Sequence, residues 1–223
     1  MPLSIMRFSY KRNTRQESIE SWLMQDEWIC KELLELEQWD SQTAAHCLRV
    51  AEQVWRMAEI LHYTNDQRIS ITIAAALHDV GKIFTPLEIL HKPTKLTEVE
   101  YAVIQRHSLD GYSKLRARQI PEQIALSVLY HHEHWDGTGY PARLRGLEIP
   151  QDAAVIALCD SVDAMRYRRI YRKCEMTDIQ CQLELKNNKG RQFAPKLVDV
   201  ILKYWEQIVV RDPVSLKLEK RHG

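Results

Sequence analysis

The segment His131–Pro141, HHEHWDGTGYP, places three histidines and two carboxylates beside a Gly-rich turn, in a chain of 223 residues with nine histidines. Other strong metal-binding side chains fall on apolar segments or at their ends: His46, the adjacent pair His78-Asp79, His107, and Asp160. Burying five imidazoles and two carboxylates (His46, His78, Asp79, His107, His131, His132 and Asp160) without partners would be costly. Metal coordination removes that penalty. The set offers more donor atoms than one ion can use, so it implies two divalent cations. Imidazole with carboxylate suits Fe or Mn first, with Ni, Co or Zn as alternatives, and favours five- or six-coordinate ions over a tetrahedral structural zinc. Asp79 is suited to bridge two ions while His78 holds one. Each residue also has a plainer reading, because a lone histidine on a helix is usually packed or solvated. Joint occurrence decides for metal. His62, His91, His134 and His222 are expected non-ligands.

The elements that must position these residues read as nearly all helix. TAAHCLRVAEQVWRMAEILHY places Val50, Val54, Met57 and Leu61 at steps of four, three and four, an amphipathic helix carrying His46. DQRISITIAAALHDVGK runs apolar into His78-Asp79 and is expected to stop near Gly81. TEVEYAVIQRHSLDGYSKL opens with a Thr97-x-x-Glu100 capping box and carries His107. PEQIALSVLYHH starts at Pro121 and ends at the histidine pair. IPQDAAVIALCDSVDAMRY holds Asp160 and Asp163, and APKLVDVILKYWEQIVV is the last helix. Strand-like alternation is not sustained. The expectation is an all-α fold, a single helical bundle with a binuclear metal site in its core. Residues 1–40 read as an N-terminal helical extension that caps the core, 41–210 as the catalytic domain, and 211–223 as a C-terminal tail.

Composition excludes several classes. Lys plus Arg is 31 and Asp plus Glu is 30, so no basic field exists for a nucleic-acid polymer or a membrane surface. No run approaches the ~20 apolar residues of a membrane span, and the N-terminus has no signal-peptide core. The five cysteines are odd in number and form no C-x-x-C pair, which fits a reducing, cytoplasmic location. Cys47 and Cys159 adjoin candidate ligands, but successive helix positions point about 100° apart, so a thiolate ligand is not expected.

Taken in order, HDVGK (His78–Lys82), the isolated His107, HHEHWDGTGYP and DSVDA (Asp160–Ala164) resemble the HD-GYP family of cyclic dinucleotide phosphodiesterases, a branch of the HD-domain metallohydrolases. The similarity covers about residues 40–207. It implies metal ligation by His46, His78, Asp79, His107, His131, His132 and Asp160, the same residues that their chemistry selects, with Asp79 as the bridge. Lys82 matches the family's lysine on the scissile phosphate. The phosphate-binding arginine motif falls on RIYR, making Arg169 the first candidate and Arg172 the second, with Ile170 in place of the usual proline. A glutamate that holds a third ion in some members is replaced by Gln42, so two ions are expected. Ala194 stands where the family has an aspartate.

The resemblance implies a hydroxide shared by ions about 3.5–4 Å apart, attacking phosphorus in line while Lys82 stabilises developing charge. Asp79 and Lys82 would then be the catalytic pair, with Lys82, Arg169, Arg172 and Tyr140 toward substrate. The implied substrate is cyclic di-GMP, opened to linear pGpG with a further cut to GMP left open. A mixed GMP–AMP cyclic dinucleotide is the alternative substrate. Gly139-Tyr140-Pro141 is also the family's expected docking surface for diguanylate cyclases. The rival reading is a weak or inactive cyclic-dinucleotide receptor or adaptor, kept open by Gln42, Ile170 and Ala194.

Overall fold

The computed structural model describes residues 18–167 and 176–209; Arg169, Arg172 and the segment from 211 lie outside the described residues. In chain order the helices are α1 (Ile19–Leu23), α2 (Glu27–Trp39), α3 (Ser41–Ile60), α4 (Asn65–Ala76), α5 (Leu87–Leu90), α6 (Glu98–Gln105), α7 (His107–Ala117), α8 (Glu122–Tyr130), α9 (Gln151–Arg166), α10 (Asp178–Asn187), α11 (Pro195–Lys203) and α12 (Trp205–Ile208). Short 3-10 helices cover Val80–Phe84 and Gly146–Glu148. Among the described residues there is no strand, only an isolated bridge between Lys189 and Phe193.

The helix starts follow local chemistry. Asp40 caps α3 by accepting the Thr43 amide at 3.1 Å. Capping boxes open α4 at Thr64/Gln67, α6 at Thr97/Glu100 and α10 at Thr177/Gln180. The centre of the bundle is α3 packed on α4, with α8 and α9 closing over them. Val50, Val54 and Met57 from α3 meet Ile71 and Ile73 from α4, Val128 from α8 and Val155, Leu158 and Val162 from α9, all fully buried. No helix of the described residues is long and apolar enough to cross a membrane.

Two helices are shorter than the periodicity suggests, and both breaks fall at candidate ligands. Apolar residues continue through Leu77, but α4 ends at Ala76, and His78-Asp79 occupy the turn before the 3-10 helix. The expected helix over 97–115 splits at Arg106 into α6 and α7, with His107 opening the second piece. The split accompanies a close approach: a Cβ on Gly81 would collide with the His107 carbonyl and the Gly111 amide. Only glycine lets the turn after Asp79 seat on α7.

The first helices are joined to the bundle. Ile19, Trp22, Leu23, Ile29 and Leu33 belong to the main core, and Leu36 packs with Ala44, Cys47 and Ile83. Lys114 of α7 reaches Glu32 at 2.8 Å and Glu35 at 2.7 Å, and Arg118 reaches Glu32 at 2.9 Å. Glu32 is 1% exposed, so its two cations offset an otherwise costly burial.

Two outcomes follow. Gly81→Ala should lower unfolding stability by about 1–3 kcal/mol in urea titration, the cost of forcing atoms into a packed site. Leu33→Ala should lower it by about 2–5 kcal/mol; an unchanged midpoint would mean that α2 is an appendage rather than part of the core.

Candidate metal centre

Three of the candidate ligands obtain their orientation in the same way. His78, His107 and His131 each stand just past a helix end, and each ring Nδ1 faces the carbonyl three residues back. The distances are 2.7 Å to Ala75, 2.5 Å to Ile104 and 2.6 Å to Val128. A carbonyl only accepts, so Nδ1 carries the proton and Nε2 is left with its lone pair. The last carbonyls of a helix lack intrahelical donors, and these imidazoles supply them. Helix termination and ligand orientation are one local event here.

The freed Nε2 atoms converge. His107 Nε2 lies 3.3 Å from His131 Nε2 and 3.1 Å from His132 Nε2. Asp79 Oδ1 is 3.3 Å from His107 Nε2, and Asp79 Oδ2 is 3.5 Å from His78 Nε2 and 3.9 Å from His46 Nε2. Candidate ligand atoms of Asp79, His107, His131 and His132 all lie within 4.8 Å of one another, and so do those of His46, His78 and Asp79. Asp79 is common to both groups. Asp160 enters from α9, with Oδ1 2.9 Å from His46 Nε2.

The donor set fits metal. Two imidazoles that both donate through Nδ1 present lone pairs to each other across 3.3 Å, which is repulsive without a cation between them. Protons are poorly suited to that place. Burial lowers the His107 pKa to about 4 and that of His131 to about 3, and holds His132 well below the ordinary histidine range. Buried His78 Nε2 makes no hydrogen bond. For Asp79, burial works to raise the pKa, but the Lys82 ammonium prevails and keeps the carboxyl well below its usual range. Lys82 Nζ donates to Asp79 Oδ2 at 2.5 Å. Neither Cys47 nor Cys159 belongs to either group of candidate ligand atoms.

His46 is held from its other side. Its Nδ1 meets Asp163 Oδ2 at 2.6 Å, and Arg49 grips the same carboxylate with Nε to Oδ1 and a terminal nitrogen to Oδ2, both at 2.8 Å. The Arg49 guanidinium also lies over the Tyr167 ring, 4.0 Å from its centroid. Sequence reasoning left Asp163 and Arg49 without a role. Their signal was spacing: Arg49 follows His46 by three positions and Asp163 follows Asp160 by three, the same-face step of a helix.

The loop after the histidine pair is tied by Glu133, a third residue without an assigned role. This carboxylate, 2% exposed, accepts the Ala142 amide at 2.6 Å and the Leu144 amide at 3.0 Å. Gly139 passes so close to the backbone of His132, Glu133 and His134 that a Cβ would collide. Tyr140 is thereby carried back over the cluster, its ring centroid 4.8 Å from that of His132 and tilted 30°. His134 points away and pairs with Thr138 at 3.0 Å.

A family model described as HD domain matches residues 27–197. The chain is 41% identical over 173 residues to the 3'3'-cGAMP-specific phosphodiesterase 2 of Vibrio cholerae, covering 75% of this chain and 32% of that protein. It is 38% identical over 166 residues to the cyclic di-GMP phosphodiesterase response regulator RpfG of Xanthomonas campestris, covering 74% and 44% respectively. The chain thus spans less than half the length of these curated relatives. Its fold matches the HD domain of the L. monocytogenes phosphodiesterase PgpH, solved in complex with cyclic-di-AMP, with a TM-score of 0.58 and 20% identity over 82% of this chain and 98% of that one. From α2 into α11, with His78-Asp79 at the meeting point of its buried imidazoles, this chain belongs to the HD domain family.

Proposed function

We propose that the chain is a metal-dependent phosphodiesterase that opens cyclic di-GMP to linear pGpG. The observation that carries this reading is the convergence of unprotonated Nε2 atoms on both sides of one shared carboxylate, Asp79. In this reading His46, His78, Asp79, His107, His131, His132 and Asp160 hold two divalent ions, Fe or Mn in first place. When bound, such a pair supplies Lewis acidity to the phosphate and lowers the pKa of water toward neutrality. Gln42 is exposed at the start of α3 and brings no charge, which supports two ions rather than three.

The chain's own residues have distinct tasks. Lys82 is 8% exposed and its ammonium faces the cluster, where it balances charge on a scissile phosphate. Asp163 and Arg49 keep the His46 ring turned inward. Glu133 and Gly139 fix the loop so that Tyr140 covers His132 on the substrate side. Arg169 and Arg172 are the phosphate clamps of this reading. In the overall reaction the oxygen of water bonds to phosphorus, and the ribose 3′ oxygen departs and takes up a proton.

A second reading concerns the substrate alone. A relative at 41% identity is named for 3'3'-cGAMP and one at 38% for cyclic di-GMP, so a mixed GMP–AMP ring is the competing substrate. The decisive experiment compares cyclic di-GMP, 3'3'-cGAMP and cyclic di-AMP, using protein purified without oxygen and loaded with Mn or Fe(II). Turnover of cyclic di-GMP to pGpG, about two metals per chain by elemental analysis, and loss of both in Asp79→Ala are expected. Faster turnover of 3'3'-cGAMP selects the second reading, and tight binding without turnover of any ring selects a receptor. Asp163→Ala should weaken metal binding about 10–100-fold in a competition titration, the usual effect of losing a partner that orients a ligand histidine.

A further inference from the structure

Glu32 of α2 is 1% exposed, and the cations that hold it, Lys114 at 2.8 Å and Arg118 at 2.9 Å, both stand at the end of α7. A buried ion pair seldom stabilises a fold more than well-packed apolar groups would, and its best-attested use is to fix register. The geometry here suits that use. Lys114 and Arg118 are one turn apart and converge on a single carboxylate, so sliding or turning α7 breaks one of the contacts. Apolar packing does not fix the register by itself. A cavity of about 720 Å³ opens along the seam, bounded by Trp28 of α2, Phe84 of the 3-10 helix, and Ser113, Lys114, Ala117 and Arg118.

At its other end α7 begins with His107, whose Nε2 faces His131, His132 and Asp79. Lys114 lies roughly 10 Å along the axis from His107, and so short a helix moves as one piece. The Gly81 turn touches α7 at His107 and Gly111, a close approach about which the helix could pivot. The far end therefore needs a second attachment. Helix α2 is well placed to supply it, because Leu36 packs with Cys47 and Ile83, the residues next to His46 and Lys82.

We propose that Glu32 is a positioning residue for the metal centre: by holding Lys114 and Arg118 it sets where α7 presents His107 to the cations, an inference that rests on the two-ion reading above. Helix α2 thereby spans the site. Its apolar edge lies on the elements that carry His46 and Lys82, and its carboxylate holds the helix that carries His107.

The test is a Mn(II) titration against a competing chelator, with thermal midpoints, for wild type, Glu32→Gln, Leu33→Ala and Arg118→Gln. Glu32→Gln should weaken Mn(II) binding about tenfold, the lower end of the effect of losing a partner that orients a ligand. Leu33→Ala removes core volume from the adjoining position of α2 without touching the ion pairs, and should keep wild-type affinity. Wild-type affinity in Glu32→Gln overturns the inference. So does an equal loss in Leu33→Ala, because general loosening of the fold would then explain both. Should Glu32→Gln not fold, Arg118→Gln decides, since it leaves Lys114 in place: weakened binding supports the register role, and wild-type affinity overturns it. A wild-type chain that holds no Mn(II) overturns the two-ion reading and this inference with it. One that holds two ions but opens no cyclic dinucleotide overturns the phosphodiesterase reading alone.

Discussion

Neutral imidazoles brought nose to nose are the constraint on which this molecule turns. His107 and His131 both give their Nδ1 protons to helix-end carbonyls, so the nitrogens that face each other have nothing to share. The interior is too dry for protonation to relieve the conflict, as the depressed pKa values of both rings indicate. A divalent cation accepts lone pairs from all sides and turns the repulsion into coordination. The hydrophobic core around α3, α4, α8 and α9 is what buries these rings and keeps that choice in force.

The same constraint accounts for where the helices end. Leu77 could extend α4 on grounds of propensity, and Arg106 could continue α6, yet both are break points. Each break releases a carbonyl that the following imidazole then satisfies. Local preference for a longer helix is overridden by the stability of that hydrogen bond and by the close seating of Gly81 on α7. Packing and site geometry are therefore not separable at these turns.

Much of this was legible from the chain alone. The apolar steps of α3, the capping residues Thr97 and Glu100, and the ordered His and Asp positions carry their meaning locally. The breaks at Ala76 and Arg106 were not legible, because they depend on contact between the Gly81 turn and α7, more than twenty residues apart in sequence. Glu133 was equally opaque. It sits inside a ligand-rich segment, and only the return of the chain at Ala142 and Leu144 shows that it holds backbone rather than metal. Asp163 and Arg49 were within reach of simple helical spacing, but charged residues at that spacing are common on solvated faces.

Asp79 belongs to a backbone turn locked between the end of α4 and the first residues of α7, not to a flexible arm. In the proposed two-ion site, the separation between the cations would accordingly be set by main chain. Ions that differ in radius would meet an aperture of set width, so discrimination among metals would arise from the fit of the pair as a unit, beyond the preference of any single imidazole.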